Sequence, residues 1–230
     1  MEQNKQRIVV KVGTSTLTHN SGALDLWSME HLVRTLADLQ GMGHEVILVS
    51  SGAIAVGTAK LGLSERPKEL RMKQAAAAVG QCRMMHIYDK FFSEYNRSMA
   101  QILLTGDDVE DPERAEHLSN TFSALLEMGV IPVVNENDSV SSAEIETGRH
   151  KVLGDNDTLS AIVAELCRAD LLVLLSDIDG LYDKDPHRYP DAKLVSLVTE
   201  VTDELRAAAG GAGTARGTGG MQTKLDAAQL

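Results

Sequence analysis

Short runs of Val, Ile and Leu interrupt the chain at five places, with longer mixed stretches between them. None of these runs contains a charged side chain, a pattern typical of a strand buried on both faces of a sheet. The sequence therefore predicts five strands, at Ile8–Val10, Val46–Val49, Ile102–Leu104, Val130–Val134 and Leu171–Leu175.

Between the runs, apolar residues recur at the spacing of a helix face. One predicted helix covers 26–39 and ends at Gly41 or Gly43, because glycine commonly stops a helix. A longer helix is predicted over about 68–95, with Gly80 as the candidate for a break.

Two further helices are predicted in the second half of the chain, and the last residues are also helix-like. Asp111 and Pro112 form a typical N-cap and first helical position, and Gly129 would end that helix. The next helix spans Asp157–Arg168, and Lys224–Leu230 has the pattern of a final one. Alternating strands and helices predict an α/β fold with a mainly parallel sheet and helices on both faces.

Composition limits the function classes. The chain has 22 Lys and Arg against 33 Asp and Glu, a formal net charge of −11, which disfavours a nucleic-acid or basic membrane-surface partner. The two cysteines, Cys82 and Cys167, form no disulfide framework. No apolar run approaches the ~20 residues of a bilayer span or the length of a signal-peptide core. We expect a cytoplasmic protein.

Several common catalytic motifs are missing from the sequence. No Gly-Lys pair occurs, so there is no GxxxxGK[ST] loop, and no GxGxxG follows the first strand. GxSxG, HExxH and HRD-type motifs are absent as well. The histidines are too far apart in sequence to form a helical metal-ligand pair, and Asp177–Gly180 lacks the later ligands of a calcium loop.

Two polar clusters follow the first two predicted strands, at the edge where open α/β sheets bind ligands. Lys11 with Gly13 and the hydroxyls of 14–15 suits a polyphosphate, although this cluster alone is more typical of an ordinary turn. Ser51 and Gly52 would let the backbone approach a ligand at a helix start, and a simple N-cap by Ser50 or Ser51 explains them about as well.

Two acidic and amide clusters come later in the chain, at Asn135–Asp138 and Gly154–Asp157. Asp155 or Asp157 could simply cap the following helix. Alternatively, the clusters could hold an ammonium group, orient lysines or approach a metal ion.

A glycine-rich stretch, Gly217–Lys224, offers a backbone that can surround a phosphate and a lysine that can reach it, although a flexible linker would look similar. Ser176 and Asp177 follow the fifth strand and could line a nucleotide pocket or form a plain turn. Two distant lysines, phosphate-compatible glycines and several acids together indicate a phosphoryl transferase.

The clusters resemble those of the amino acid kinase family, and most specifically its glutamate 5-kinase branch. The resemblance covers essentially the whole chain. It rests on KVGTS at 11–15, SSGA at 50–53, KQAAAAVGQ at 73–81, NEND at 135–138, GDNDTLSA at 154–161, SDIDGLYDKDP at 176–186 and GTGGMQTK at 217–224.

The resemblance implies a three-layer αβα sandwich and transfer of the γ-phosphoryl group of ATP to the side-chain carboxylate of L-glutamate, the first step of proline synthesis. Lys11 and Lys224 would contact the transferring phosphate, and Asp157 would orient both lysines. Ser51, Gly52, Asp138 and Asn156 would bind glutamate. ATP would be bound by Lys11, Ser176, Asp177, Thr218, Gly219, Gly220, Met221, Gln222, Thr223 and Lys224.

The chemistry of that reaction agrees with the residues present. A glutamate side chain, with a pKa near ~4.3, is already ionised at neutral pH, so no general base is required. The two lysines and Mg²⁺ would offset the repulsion between two anions, and Mg²⁺ would be held mainly by phosphates and water, with protein ligands that the sequence does not identify.

Further expectations follow from the same resemblance. We expect one kinase domain over 1–230, shortened at its C-terminus and without the small C-terminal domain found in RNA-modifying enzymes. We also expect a homo-oligomer, a dimer or tetramer, with proline as a feedback inhibitor. The alternatives are another acid or phosphate kinase of this fold, acting on aspartate, acetylglutamate or UMP, or a non-catalytic nucleotide-binding regulator.

Overall fold

The computed structural model describes residues 5–140, 155–186, 188–209 and 220–230. Each predicted apolar run forms a strand, and the strand predictions are confirmed. The strands are β1 (Arg7–Lys11), β2 (Glu45–Val49), β3 (Met99–Leu104), β4 (Ile131–Glu136) and β5 (Leu171–Leu174).

These strands form one sheet in the order β3-β4-β2-β1-β5, and every pairing within it is parallel. In the register of the sheet, Val9 of β1 lies between Ile47 of β2 and Leu172 of β5. Because all strands run the same way, their carboxyl ends meet at one edge. The segments that follow β1, β2 and β4 therefore come together there.

The helices match the predicted pattern where it was strongest. The described helices are α1 (Thr14–Leu17), α2 (Leu26–Gly41), α3 (Ala53–Lys60), α4 (Leu70–Glu94), α5 (Gly106–Glu110), α6 (Pro112–Glu127), α7 (Asn156–Leu166), α8 (Asp203–Ala209) and α9 (Met221–Ala227). The five helices predicted from the sequence correspond to α2, α4, α6, α7 and α9.

Helix α4 continues through Gly80, so the break considered there is wrong. Gly80 instead allows α3 to cross α4 with their backbones in contact, since a Cβ atom on Gly80 would lie 1.8 Å from the Ala53 carbonyl oxygen. A Cβ on Gly57 would lie 1.7 Å from the Ala76 carbonyl oxygen. The glycine serves helix packing rather than helix termination.

Helices cover both faces of the sheet, which gives three layers. On one face, alternate residues of β1, β2 and β4 pack with Met29 and Val33 of α2 and Tyr88 of α4. On the other face, the intervening residues pack with Phe122 of α6 and Leu159 of α7. The predicted α/β fold with a parallel sheet and helices on both faces is confirmed.

The expectation that every strand is buried on both faces is wrong for β3 and β5. Leu171 is exposed and the rest of β5 is half-buried, while Gln101 of β3 is exposed. Both strands lie at the ends of the strand order, where one side has no neighbouring strand among the described residues. Within the described ranges, no helix is both long and apolar enough to cross a membrane.

Candidate active site

The polar clusters predicted at the strand ends meet at the carboxyl edge of the sheet. Lys11 is the last residue of β1, Ser51 follows β2, and Asn135 lies near the end of β4. Helix α7 starts at the same edge with Asn156 and Asp157, and α9 packs against α7. Residues far apart in sequence thus converge because three parallel strands end together.

Asp157 is the centre of this convergence. One of its carboxylate oxygens, Oδ1, lies 2.7 Å from the Lys11 ammonium nitrogen, and the other, Oδ2, lies 3.0 Å from that of Lys224. The Thr223 hydroxyl donates to Oδ2 at 2.7 Å. The side chains are 1% exposed for Asp157, 8% for Lys11 and 16% for Lys224, so the ion pairs are largely shielded from water.

The charge state of Asp157 follows from these contacts. Burial alone would raise the pKa of the Asp157 carboxyl, but Lys11, Lys224 and the Thr223 hydroxyl outweigh it and hold that pKa below its usual value. The carboxylate is therefore ionised at neutral pH. Two ammonium groups share one carboxylate, and the three charges sum to +1, which favours an anion beside them.

Asp155 explains why Asp157 is available for the lysines. Its carboxylate accepts hydrogen bonds from the backbone N–H groups of Asp157 (2.7 Å) and Thr158 (3.0 Å), so Asp155 is the N-cap of α7. Of the two capping alternatives left open by the sequence, Asp155 is correct. The Asp157 side chain consequently faces the lysines from the first turn of the helix.

A second group of polar contacts surrounds Asn156. Its side-chain amide donates to the Ser51 hydroxyl oxygen at 2.6 Å, to the Ser50 carbonyl at 3.1 Å and to Asn135 Oδ1 at 3.4 Å. Gly52, and not a serine, occupies the N-cap position of α3, with no side-chain capping bond and a left-handed φ of 101°. The N-cap alternative for Ser50 and Ser51 is therefore wrong, and both serines contact other parts of the site.

The remaining residues predicted to bind substrate or nucleotide lie at the same edge or on α9. Asp138 is half-buried in the turn after β4, and Ser176 and Asp177 follow β5 after one intervening residue, Leu175. Gly220 is the N-cap of α9, whose first turn carries Met221, Gln222 and Thr223. Thr218 and Gly219 lie outside the described residues.

The hydroxyl of Thr223, a residue predicted to bind ATP, contacts Asp157 and the Gly220 carbonyl oxygen (2.8 Å). Gln222 similarly contacts Asp226 of its own helix at 3.3 Å. The binding and catalytic roles of all these residues stay predictions.

Two polar side chains of α4 that were not predicted as site residues, Gln81 and Tyr88, also reach the site. Gln81 accepts a hydrogen bond from the Asn135 amide at 2.8 Å, and the Tyr88 and Ser50 hydroxyls lie 2.9 Å apart. Gln81 closes the KQAAAAVGQ motif, and a polar residue on the buried side of a long helix was the available signal. Within the described ranges, no group of three or more His, Cys, Asp or Glu side chains is arranged to hold a metal ion.

The profile of the amino acid kinase family matches residues 6–229. The chain belongs to the amino acid kinase family. The resemblance indicated by the motifs is therefore confirmed.

The chain is 54% identical over 228 residues to the glutamate 5-kinase of Clostridium perfringens, covering 99% of this chain and 84% of that protein. It is 57% identical over 224 residues to the glutamate 5-kinase of Caldanaerobacter subterraneus subsp. tengcongensis, covering 97% of this chain and 59% of that protein. The chain thus spans about three fifths of the length of the second relative.

Solved structures of two other kinases share the fold. The carbamate kinase of Giardia lamblia bound to AMP-PNP superposes with a TM-score of 0.66 at 14% identity, covering 99% of this chain and 88% of that chain. The UMP kinase of Ureaplasma parvum gives a TM-score of 0.55 at 15% identity, covering 84% and 75%. The predicted amino acid kinase fold is confirmed.

Proposed function

We propose that this protein transfers the γ-phosphoryl group of ATP to the side-chain carboxylate of L-glutamate, forming L-glutamyl 5-phosphate and ADP. The convergence of Lys11 and Lys224 on the buried Asp157 carboxylate is the observation that carries the proposal. Glutamate 5-kinases at 54–57% identity supply the choice of acceptor. In the reaction, a carboxylate oxygen of glutamate bonds to the γ-phosphorus while the bond from that phosphorus to the bridging oxygen of ADP breaks.

Lys11 and Lys224 act on the transferring group as fixed positive charges. The acceptor carboxylate is ionised at neutral pH, so it attacks without a base, and the barrier comes mainly from bringing two anions together. Because Asp157 holds both ammonium groups before the substrates arrive, little reorganisation accompanies the reaction. Asp157 itself stays ionised and acts as a positioning residue for the lysines.

Glutamate would be bound beside this charge cluster. Ser51, Gly52, Asn156 and Asp138 present a hydroxyl, a side-chain-free backbone, an amide and a carboxylate around the same edge of the sheet. Asp138 suits the α-ammonium group of an amino acid, whereas the amide and hydroxyl suit its carboxylates. A nucleophile held between these groups and the lysines would meet the γ-phosphate directly.

ATP would be bound on the other side of Lys11 from glutamate, because β1 lies between β2 and β5 in the sheet. Ser176 and Asp177 after β5 and the start of α9 would bind it. Met221, Gln222, Thr223 and Lys224 belong to that start, Gly220 caps it, and Thr218 and Gly219 precede it in sequence. Lys11 and Lys224 would lie nearest the γ-phosphate.

Mg²⁺ fits this site as an ion carried with the nucleotide. Both oxygens of Asp157 already contact lysines or Thr223, so that carboxylate is not a free ligand. Phosphate oxygens and water would provide most of the coordination, which Mg²⁺ tolerates well. The ion would neutralise charge on the phosphates.

The domain organisation, cellular location, oligomeric state and inhibition of the protein belong to the same proposal. We infer a single kinase domain over 1–230, acting in the cytoplasm at the start of proline synthesis, as a homo-oligomer that proline inhibits. The layered packing of the described residues around one sheet supports the single domain. Size measurement in solution and inhibition curves with proline test the last two points.

The decisive experiment measures ADP release with glutamate, aspartate, acetylglutamate and UMP in parallel, with hydroxylamine present to trap an acyl phosphate as the hydroxamate. We expect glutamate to give the highest kcat/KM and a hydroxamate in proportion to ADP. Faster turnover of aspartate or UMP would contradict the substrate assignment. Nucleotide binding without turnover of any acceptor would favour the regulator alternative.

A further inference from the structure

A chain of four polar side chains runs from the interior of α4 to the edge of the sheet. Gln81 Oε1 accepts from Asn135 Nδ2 at 2.8 Å, and Asn135 Oδ1 lies 3.4 Å from Asn156 Nδ2. Asn156 Nδ2 then donates to the Ser51 hydroxyl oxygen at 2.6 Å. These hydrogen bonds end at Asn156 and Ser51, two of the four residues proposed above to bind glutamate.

The direction of each amide in this chain is fixed by its neighbours. The backbone N–H of Glu136 donates to Asn135 Oδ1 at 3.0 Å, and Asn156 donates toward the same oxygen, so that oxygen must be an acceptor. Asn135 therefore turns its Nδ2 toward Gln81, and only the oxygen of the Gln81 amide can receive it. A hydrocarbon side chain at 81 would leave Asn135 Nδ2 without this acceptor.

Burial shows that Gln81 is unusual for a packing residue. Gln81 is only 7% exposed, and its side-chain Nε2 atom has no hydrogen-bond partner among the described residues. Placing an amide in the interior with half of its polar groups unpaired is unfavourable. Helix packing alone would be served better by an apolar residue, so the oxygen of Gln81 has another use.

We propose that Gln81 is a positioning residue for the acceptor site, acting through Asn135 to hold the Asn156 amide against Ser51. This inference rests on the proposed function and adds a determinant of glutamate affinity located on α4. We expect its effect on substrate binding, because its hydrogen bond is with Asn135, whereas Lys11, Asp157 and Lys224 pair with one another. Hydrogen bonds in such a chain reinforce one another, so loss of the first weakens the last.

The test compares Gln81→Met with the parent protein in steady-state kinetics, since Met has a similar length and no strong acceptor. We expect the KM for glutamate to rise about tenfold, which corresponds to about 1.4 kcal/mol. The KM for ATP and kcat should change less than about threefold. Met85→Leu, one turn along the same buried face of α4, is the control for packing and should leave the KM for glutamate unchanged.

A double-mutant cycle with Asn135→Ala distinguishes positioning from general loosening. If Gln81 acts through Asn135, Gln81→Met should raise the KM for glutamate less than about twofold in the Asn135→Ala background. Equal effects in both backgrounds would overturn the inference.

Failure of this inference is distinguishable from failure of the proposed function. A parent protein that turns over glutamate, with an unchanged KM in Gln81→Met, overturns the role of Gln81 alone. A parent protein without glutamate-dependent turnover overturns the proposed function and this inference with it. Thermal unfolding of each variant, followed by circular dichroism, identifies any loss of fold.

Discussion

Replacing Asp157 with Asn removes the charge that holds the two lysines together while keeping the size of the side chain. The carboxylate is 1% exposed and lies 2.7 Å from Lys11 and 3.0 Å from Lys224. Removing one partner of a buried ion pair costs about 3–5 kcal/mol, because the other charge stays buried without compensation. Lys224 is the more exposed lysine and can regain some water, so we expect a loss of about 3 kcal/mol in the free energy of unfolding.

Urea unfolding at neutral pH measures this loss, and steady-state kinetics measures the effect on turnover. Because the ammonium groups would no longer be held in place, kcat should fall by about 10² or more. Asp226→Asn on α9 is the matched control, since Asp226 pairs with Arg206 at the surface and should contribute less than about 1 kcal/mol. A change below 1 kcal/mol for Asp157→Asn, with kcat within tenfold of the parent, would refute the reasoning.

Acid pH provides an independent check on the same carboxylate. The pKa of Asp157 in the folded protein lies below its usual value of 3.8, so the folded state binds fewer protons than the unfolded chain in the acid range. Its contribution to stability is therefore present above about pH 4 and lost as the pH falls through the folded pKa. The difference in unfolding free energy between parent and Asp157→Asn should shrink on acidification and stay constant from pH 5 to 7.

Two further substitutions test the acceptor site and the helix crossing that supports it. Asp138→Ala should raise the KM for glutamate with little change in the KM for ATP, and an unchanged KM for glutamate would remove Asp138 from the proposed site. Gly80→Ala would place a methyl group 1.8 Å from the Ala53 carbonyl oxygen, so we expect a loss of about 1–3 kcal/mol in urea unfolding. Because α3 begins beside Ser51, Gly80→Ala should also raise the KM for glutamate, and wild-type stability and KM would contradict the close crossing.

Local patterns were sufficient to predict the strands and the longer helices. Each strand is centred on an uninterrupted apolar run, and Asp111 is the N-cap of α6, as its position in the sequence indicated. The strand order is set by packing between distant segments, so local patterns did not reveal that β3 and β5 are edge strands. Their partial exposure was missed for that reason.

The candidate site shows the same division between local and long-range information. The resemblance of the polar clusters to those of the amino acid kinase family selected Lys11, Asp157 and Lys224, which the structure brings together. The choice between Asp155 and Asp157 as the cap of α7, and between capping and another role for Ser50 and Ser51, depended on backbone geometry that the sequence leaves open. Gln81 was missed because its partner Asn135 is 54 positions away.

The most direct test of the central claim is the rate of acyl phosphate formation by Lys224→Ala, measured as hydroxamate at saturating ATP and glutamate. If Lys224 and Lys11 both stabilise the transferring phosphoryl group, kcat should fall by about 10²–10³, the usual cost of one positioned transition-state charge. Lys5→Ala, at the opposite edge of the sheet, should retain the parent kcat. An unchanged kcat with only a raised KM for ATP would mean that Lys224 binds nucleotide without acting on the transferring group, and would contradict the claim.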